Sequence, residues 1–173
     1  MLVTIEMKVT KTPNPECPIG RAHENVGEWW SILILRDAFQ GMTRFDEFRQ
    51  SLGIAPSILT SRLAHLTACG MFDRRSYSKK PPRYEYVLTA KGRDFFPVIA
   101  SLFAWGNRHL APEGAALFLV QRETRKKLHP VVVDARSLEP ILLETTGVVA
   151  GPAASPAMQR RLAQLQANAA QKH

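Results

Sequence analysis

Residues 43–70 read TRFDEFRQSLGIAPSILTSRLAHLTACG, and the reading of this stretch decides the fold. Leu59, Leu63 and Leu66 recur at helical spacing and form one apolar stripe, which predicts an amphipathic helix from Pro56 onward. Its other side carries Ser57, Thr60, Ser61, Ala64 and His65, which are small or polar and free of carboxylates. A helix face that is merely solvated usually mixes Glu and Lys; this one is kept clear for close approach. Upstream, Phe45, Phe48 and Leu52 share a second stripe, with Thr43 as predicted N-cap, Asp46 three residues on, and Gly53 as the stop. Gly53, Ile54 and Ala55 alone separate the two helices. Two short helices joined by a tight glycine-containing turn read as a helix-turn-helix. Pro56 suits the first position of the second helix, whereas Ala55 is a weak N-cap.

After Gly70 the periodicity changes. MFDRRSYS and RYEYVLT are strand-like runs joined through KKPP, and paired prolines place that junction at a protruding hairpin tip rather than in a central strand. Arg74, Arg75, Lys79, Lys80 and Arg83 are opposed only by Asp73 and Glu85 between residues 71 and 88. A basic hairpin directly after a helix-turn-helix is a wing. Thr89 then caps a long helix, AKGRDFFPVIASLFAWGNRHL, which Pro97 is expected to bend or weaken. That helix has two apolar sets, one near Phe95, Ile99 and Leu102 and another near Phe96, Phe103 and Leu110. Either the helix is buried all round, or, since one core rarely consumes both, the second set pairs with another subunit about a two-fold axis, which is the favoured reading.

Upstream of residue 43, EWWSILILRDAFQG is apolar on nearly every side and reads as a central buried helix stopped by Gly41. A short helix from about Pro18 to Val26 precedes it, with Cys17 at its N-cap. The expected fold class is mainly α with a small β wing, a winged helix-turn-helix, plus a small β-rich C-terminal appendage. The expected divisions are an arm over 1–16, the winged helix with its dimerisation helices over 17–111, the appendage over 112–151, and a linker and tail helix over 152–173.

Composition bounds the function. The 173 residues carry 23 Lys and Arg against 15 Asp and Glu, a net charge of +8 that favours an anionic partner, nucleic acid first. No apolar run is long enough to span a membrane, and the N-terminus lacks the order of a signal peptide, so the expectation is a cytoplasmic protein with no membrane partner. Two cysteines, Cys17 and Cys69, cannot build a disulfide framework or a four-cysteine metal site. There is no phosphate-binding glycine loop, no nucleophile elbow and no His–Glu metal helix, so neither an enzyme, a metal nor a cofactor is expected.

Taken together, the CP before the first helix, WSILILRD, RFDEF, IAPSILTSRLAHL, PPRYEYVLTAKG and the closing WG resemble the HxlR-type family of winged-helix regulators over residues 17–106. The resemblance implies a dimeric bacterial or archaeal regulator that binds double-stranded DNA. It makes the helix from Pro56 to Cys69 the recognition helix for the major groove, lays the wing on the flank, and forms the dimer through the first and last helices of the domain. Ala55 stands where the family usually has Ser, and Cys69 where it usually has Asp or Asn. Some relatives carry a cysteine-bearing ribbon after the domain. LVQRETRKKLHPVVVDARSLEP looks like that ribbon with Thr124, Asp134 and Ser137 near the expected thiols, which implies the β shape without zinc.

Candidate base contacts are Ser57, Thr60, Ser61, Arg62 and His65, with Arg62 balanced between a base, a phosphate and an internal ion pair. Candidate backbone contacts are Thr43, Arg44, Arg75, Lys79, Lys80 and Arg83. A homodimer implies an inverted-repeat operator. Cys17, with Arg21 one turn on, is either a redox- or electrophile-sensing thiol or an inert one. The rival readings are a winged helix that binds protein, and a regulator answering to a small molecule held between the long helix and the appendage.

Overall fold

The computed structural model describes residues 16–170, so most of the expected N-terminal arm lies outside the described residues. The element order is α1 (Pro18–Val26), α2 (Trp29–Phe39), α3 (Phe45–Leu52), α4 (Pro56–Ala68), β1 (Phe72–Lys79), β2 (Pro82–Leu88), α5 (Ala90–Asp94), α6 (Phe96–His109) and α7 (Pro156–Ala170). Leu59, Leu63 and Leu66 of α4 are fully buried against Ile34 and Leu35 of α2 and Phe48 of α3. Each such side chain contributes about 1.5–3 kcal/mol relative to exposure. Gly53, with φ of +60°, ends α3 in the left-handed conformation and turns the chain into α4.

β1 and β2 pair antiparallel from Phe72↔Leu88 to Lys79↔Pro82, with an irregularity between Ser76 and Ser78 that leaves Tyr77 unpaired. Thr43 and Arg44 add a short third edge: Tyr86 N–H donates to the Thr43 carbonyl at 2.7 Å, and Arg44 bridges Glu85. This pairing moves the start of α3. Thr43 was expected as N-cap with Asp46 completing the box, but the extended chain continues through Arg44, which is the N-cap. Glu47, three residues beyond Arg44, then accepts from the backbone N–H groups of Arg44 (2.9 Å) and Thr43 (2.8 Å).

The return from the wing is clamped to the end of α4. The Thr89 hydroxyl accepts from Gly92 N–H at 2.9 Å and donates to the Gly70 carbonyl at 2.7 Å, while Lys91 reaches the Cys69 carbonyl at 2.7 Å. Gly92 is buried where any Cβ would collide with the Met71 carbonyl. α4 and the hairpin are therefore fixed to one corner. The long helix breaks at Phe95 into α5 and α6, with Pro97 in the first turn of α6, as the proline predicted.

The appendage departs from expectation. Residues 112–155 form no strand; they hold two isolated bridges, Val120↔Lys127 and Val133↔Pro140. Each closes a short loop with left-handed backbone, φ of +58° at Arg125 and +60° at Leu138. Side chains cross-link the loops: Thr124 Oγ1 donates to Gln121 Oε1 at 2.6 Å, and Ser137 Oγ to Asp134 Oδ1 at 3.2 Å. The apolar runs fold back after a few residues, and Pro130 and Pro140 remove donors, so no ladder extends. The largest regular element beyond α6 is instead the helix α7. Among the described residues no helix is long and apolar enough to cross a membrane.

Candidate nucleic-acid interface

α4 presents three different sides. Leu59, Leu63 and Leu66 face inward. Ser57, Thr60, Ser61 and Ala64 are exposed on the outer face. Thr60 keeps its hydroxyl on the Pro56 carbonyl at 2.8 Å, an in-helix bond, so its methyl is the group left to project. Ile58, Arg62, His65 and Cys69 recur at four, three and four residues on the third side. Arg62 Nη1 lies 3.8 Å from Glu28 Oε2, and His65 Nε2 lies 3.1 Å from the Asn25 carbonyl. The five recognition candidates therefore separate. Ser57, Thr60 and Ser61 share the open face, while Arg62 and His65 tie α4 to the end of α1 and the loop beyond it.

The wing separates as well. Arg75 pairs with Asp73 at 3.5 Å, Arg74 stacks its guanidinium 3.5 Å from the Tyr84 ring centroid, and Arg44 sits 4.7 Å from that of Tyr77. The side chains of Lys79, Lys80 and Arg83 are exposed and have no partner among the described residues. Tyr86 is half-buried, edge-on to Phe72 at 6.3 Å, which is a packing role. Thr43 is held through its backbone on both sides, by Tyr86 and Glu47. The Glu47 carboxyl is pulled below its ordinary range by the backbone N–H groups of Arg44 and Thr43. Arg44, as N-cap and as the cation over Tyr77, joins α3 to the wing; Tyr77, 41% exposed beside it, was not singled out from the sequence. Its signal is its place as the one aromatic among the charged and small residues 73–79 of β1.

The family profile described as HxlR-like helix-turn-helix matches residues 25–114. The chain belongs to this family. An HTH-type transcriptional regulator of Mycobacterium tuberculosis is 41% identical over 135 residues, 78% of this chain and 85% of the relative. A solved structure from Pseudomonas aeruginosa, described as a candidate transcription factor, is 50% identical with a TM-score of 0.61, covering 84% of this chain and all of that one. The redox regulator HypR in its reduced form is 31% identical with a TM-score of 0.51, covering 56% of this chain and 99% of that one. This HxlR-like chain is thus a DNA-binding transcription regulator by family, with α3 and α4 as its helix-turn-helix and β1–β2 as its wing.

The remaining candidates lie away from that corner. Cys17 is half-buried at the N-cap of α1, and its side chain makes no cap bond. Phe96 packs edge-on to Phe39 at 5.1 Å yet stays 43% exposed, Leu110 is 68% exposed, and Phe103 is half-buried against the appendage.

Proposed function

We propose that the chain acts as a homodimer on an inverted-repeat operator, with the outer face of α4 in the major groove and the wing tip on the flanking backbone. The observation that carries this reading is the open, carboxylate-free face of Ser57, Thr60, Ser61 and Ala64, clamped to a hairpin whose tip holds three cations without a partner among the described residues. Ser and Thr hydroxyls contact several base edges and leave room for backbone to approach. Lys79, Lys80 and Arg83 neutralise phosphates. Arg44 supports the same contact from the start of α3. Arg62 and His65 act behind the interface, holding α4 against α1.

The dimer rests on the exposed apolar residues of α6 and of the first two helices. Leu102 is 45%, Trp105 54%, Leu110 68%, Ile19 80% and Trp29 71% exposed, more than a lone subunit normally leaves on neighbouring helices. Phe96 and Phe103 extend the α6 side. The likeness to the redox regulator HypR supports Cys17 as an oxidant-responsive thiol; DNA affinity that is the same before and after peroxide, in wild type and Cys17→Ser alike, would remove that element. Selection of bound DNA from a random pool tests the main reading. Enrichment of an inverted repeat with half-sites about 10–10.5 bp apart, or a multiple, supports it. A lone half-site, or no enrichment, overturns it.

A further inference from the structure

A cavity of about 450 Å³ lies outside the DNA-binding corner, between the start of α1 and the start of α7. It is roofed by the segment 148–154 and has Cys17, Met158 and Leu162 in its walls. Val148 and Val149 are 73% and 78% exposed there, so an apolar body seated against them leaves water. Arg21 and Arg161 stand at the rim, both exposed. Arg21 is drawn to the Glu16 backbone carbonyl at 3.1 Å, and Arg161 has no partner among the described residues. The lone carboxylate in the lining is Glu16, and it is engaged: Ser155 N–H donates to it at 2.9 Å, and its pKa is lowered chiefly by hydrogen bonds from Ser155. Two guanidinium groups against one occupied carboxylate leave one positive charge in excess, beside the positive end of the α1 dipole.

We propose that this cavity binds a small amphipathic organic anion, a carboxylate with an apolar body, and that the bound ligand acts on the recognition helix through α1. The carboxylate pairs with Arg161 and Arg21, and the apolar body rests on Val149, Met158 and Leu162. The route to DNA is short. The opposite end of α1 and the loop beyond it hold α4 through the Asn25 carbonyl on His65 and Glu28 on Arg62. A ligand that shifts α1 or fixes α7 against it changes the seating of α4. The binding half stands apart from the DNA reading; the coupling half rests on it.

Octanoate is the probe, titrated calorimetrically into the full chain, with octanamide and octylamine as uncharged and cationic comparators. Saturable octanoate binding is expected, about tenfold weakened in Arg161→Gln, which removes one charge-assisted pair, and more than about tenfold tighter than octanamide, which loses the charge in both. Leu162→Trp fills the cavity and abolishes binding. Because that change also strains α7, a second readout is the rate of Cys17 alkylation by N-ethylmaleimide in a Cys69→Ser background. At an octanoate concentration near its dissociation constant, octanoate is expected to slow it to about half in that chain and by only about a tenth once Arg161→Gln is added. No saturation, equal binding of octylamine, or an unaltered Arg161→Gln overturns the site. For the coupling, saturating octanoate is expected to shift DNA affinity at least about fivefold, with the octanoate concentration that gives half of the shift raised about tenfold in Arg161→Gln. Octanoate bound with DNA affinity unmoved overturns the coupling alone, and a ligand-free chain that binds no DNA overturns the operator reading while the calorimetry still decides the cavity.

Discussion

Neutralising the tip of the wing as Lys79→Gln/Lys80→Gln/Arg83→Gln changes the salt dependence of DNA binding by an amount that can be worked out in advance. The three side chains are exposed and unpartnered among the described residues, so their loss leaves no buried group unsatisfied and thermal stability is expected to hold. Each cation that neutralises a phosphate releases about 0.9 counterion, so three per subunit set about 2.7 of the slope of log K against log salt. Between 50 and 200 mM salt that share amounts to about a 40-fold loss of affinity per subunit, which the variant no longer suffers. Arg74 and Arg75 are the comparison, because they already engage Tyr84 and Asp73. Glutamine in their place is expected to change the slope by less than about half as much. Fluorescence anisotropy on one selected operator at several salt concentrations reads both slopes. A triple variant with the slope of the wild type refutes the reasoning, since the tip would then touch no phosphate.

Three further outcomes are expected. Leu63→Ala removes a fully buried side chain from the centre of α4 and lowers stability by about 2–5 kcal/mol in denaturant unfolding. Glu47→Gln loses a carboxylate whose pKa is held below its ordinary value of 4.5 by the N–H groups of Arg44 and Thr43. Its contribution, below about 1 kcal/mol at so exposed a site, is present above pH 4.5 and lost as pH falls through the lowered value, so the melting temperatures of wild type and variant converge in acid. Leu110→Glu, at a position 68% exposed on the proposed dimer face, leaves the melting profile of the subunit intact and sediments as a monomer; a dimer of unchanged mass would place the two-fold contact elsewhere.

Much of the DNA-binding unit is legible in the sequence because its signals are local. The Leu59, Leu63 and Leu66 stripe, the stop at Gly53, the break before Pro97 and the paired prolines of the hairpin tip each depend on neighbours a few residues away. What the sequence leaves open or misplaces depends on distant partners. Thr43 is a good N-cap by residue type, yet pairing with Tyr86 keeps the chain extended and passes the cap to Arg44. The sequence leaves Arg62 open between a base, a phosphate and an internal ion pair, and offers His65 as a base contact beside Ser61. Their spacing with Ile58 and Cys69 puts them on another side, and only the position of α1 shows what that side touches. The appendage was read from apolar runs, but a strand requires a ladder partner, and residues 112–155 supply only two single bridges. The cavity beside Cys17 joins residues more than 130 positions apart, such as Cys17 and Met158, and no local pattern announces it.

The central claim is that the outer face of α4 meets DNA, and Ser61→Glu tests it most directly. Ser61 is exposed on that face, so a carboxylate there leaves folding untouched while facing phosphates and base acceptors. Affinity for the selected operator is expected to fall at least about tenfold with an unchanged melting temperature, a difference of about 1.4 kcal/mol. A folded Ser61→Glu protein that binds the operator as tightly as wild type would contradict the account.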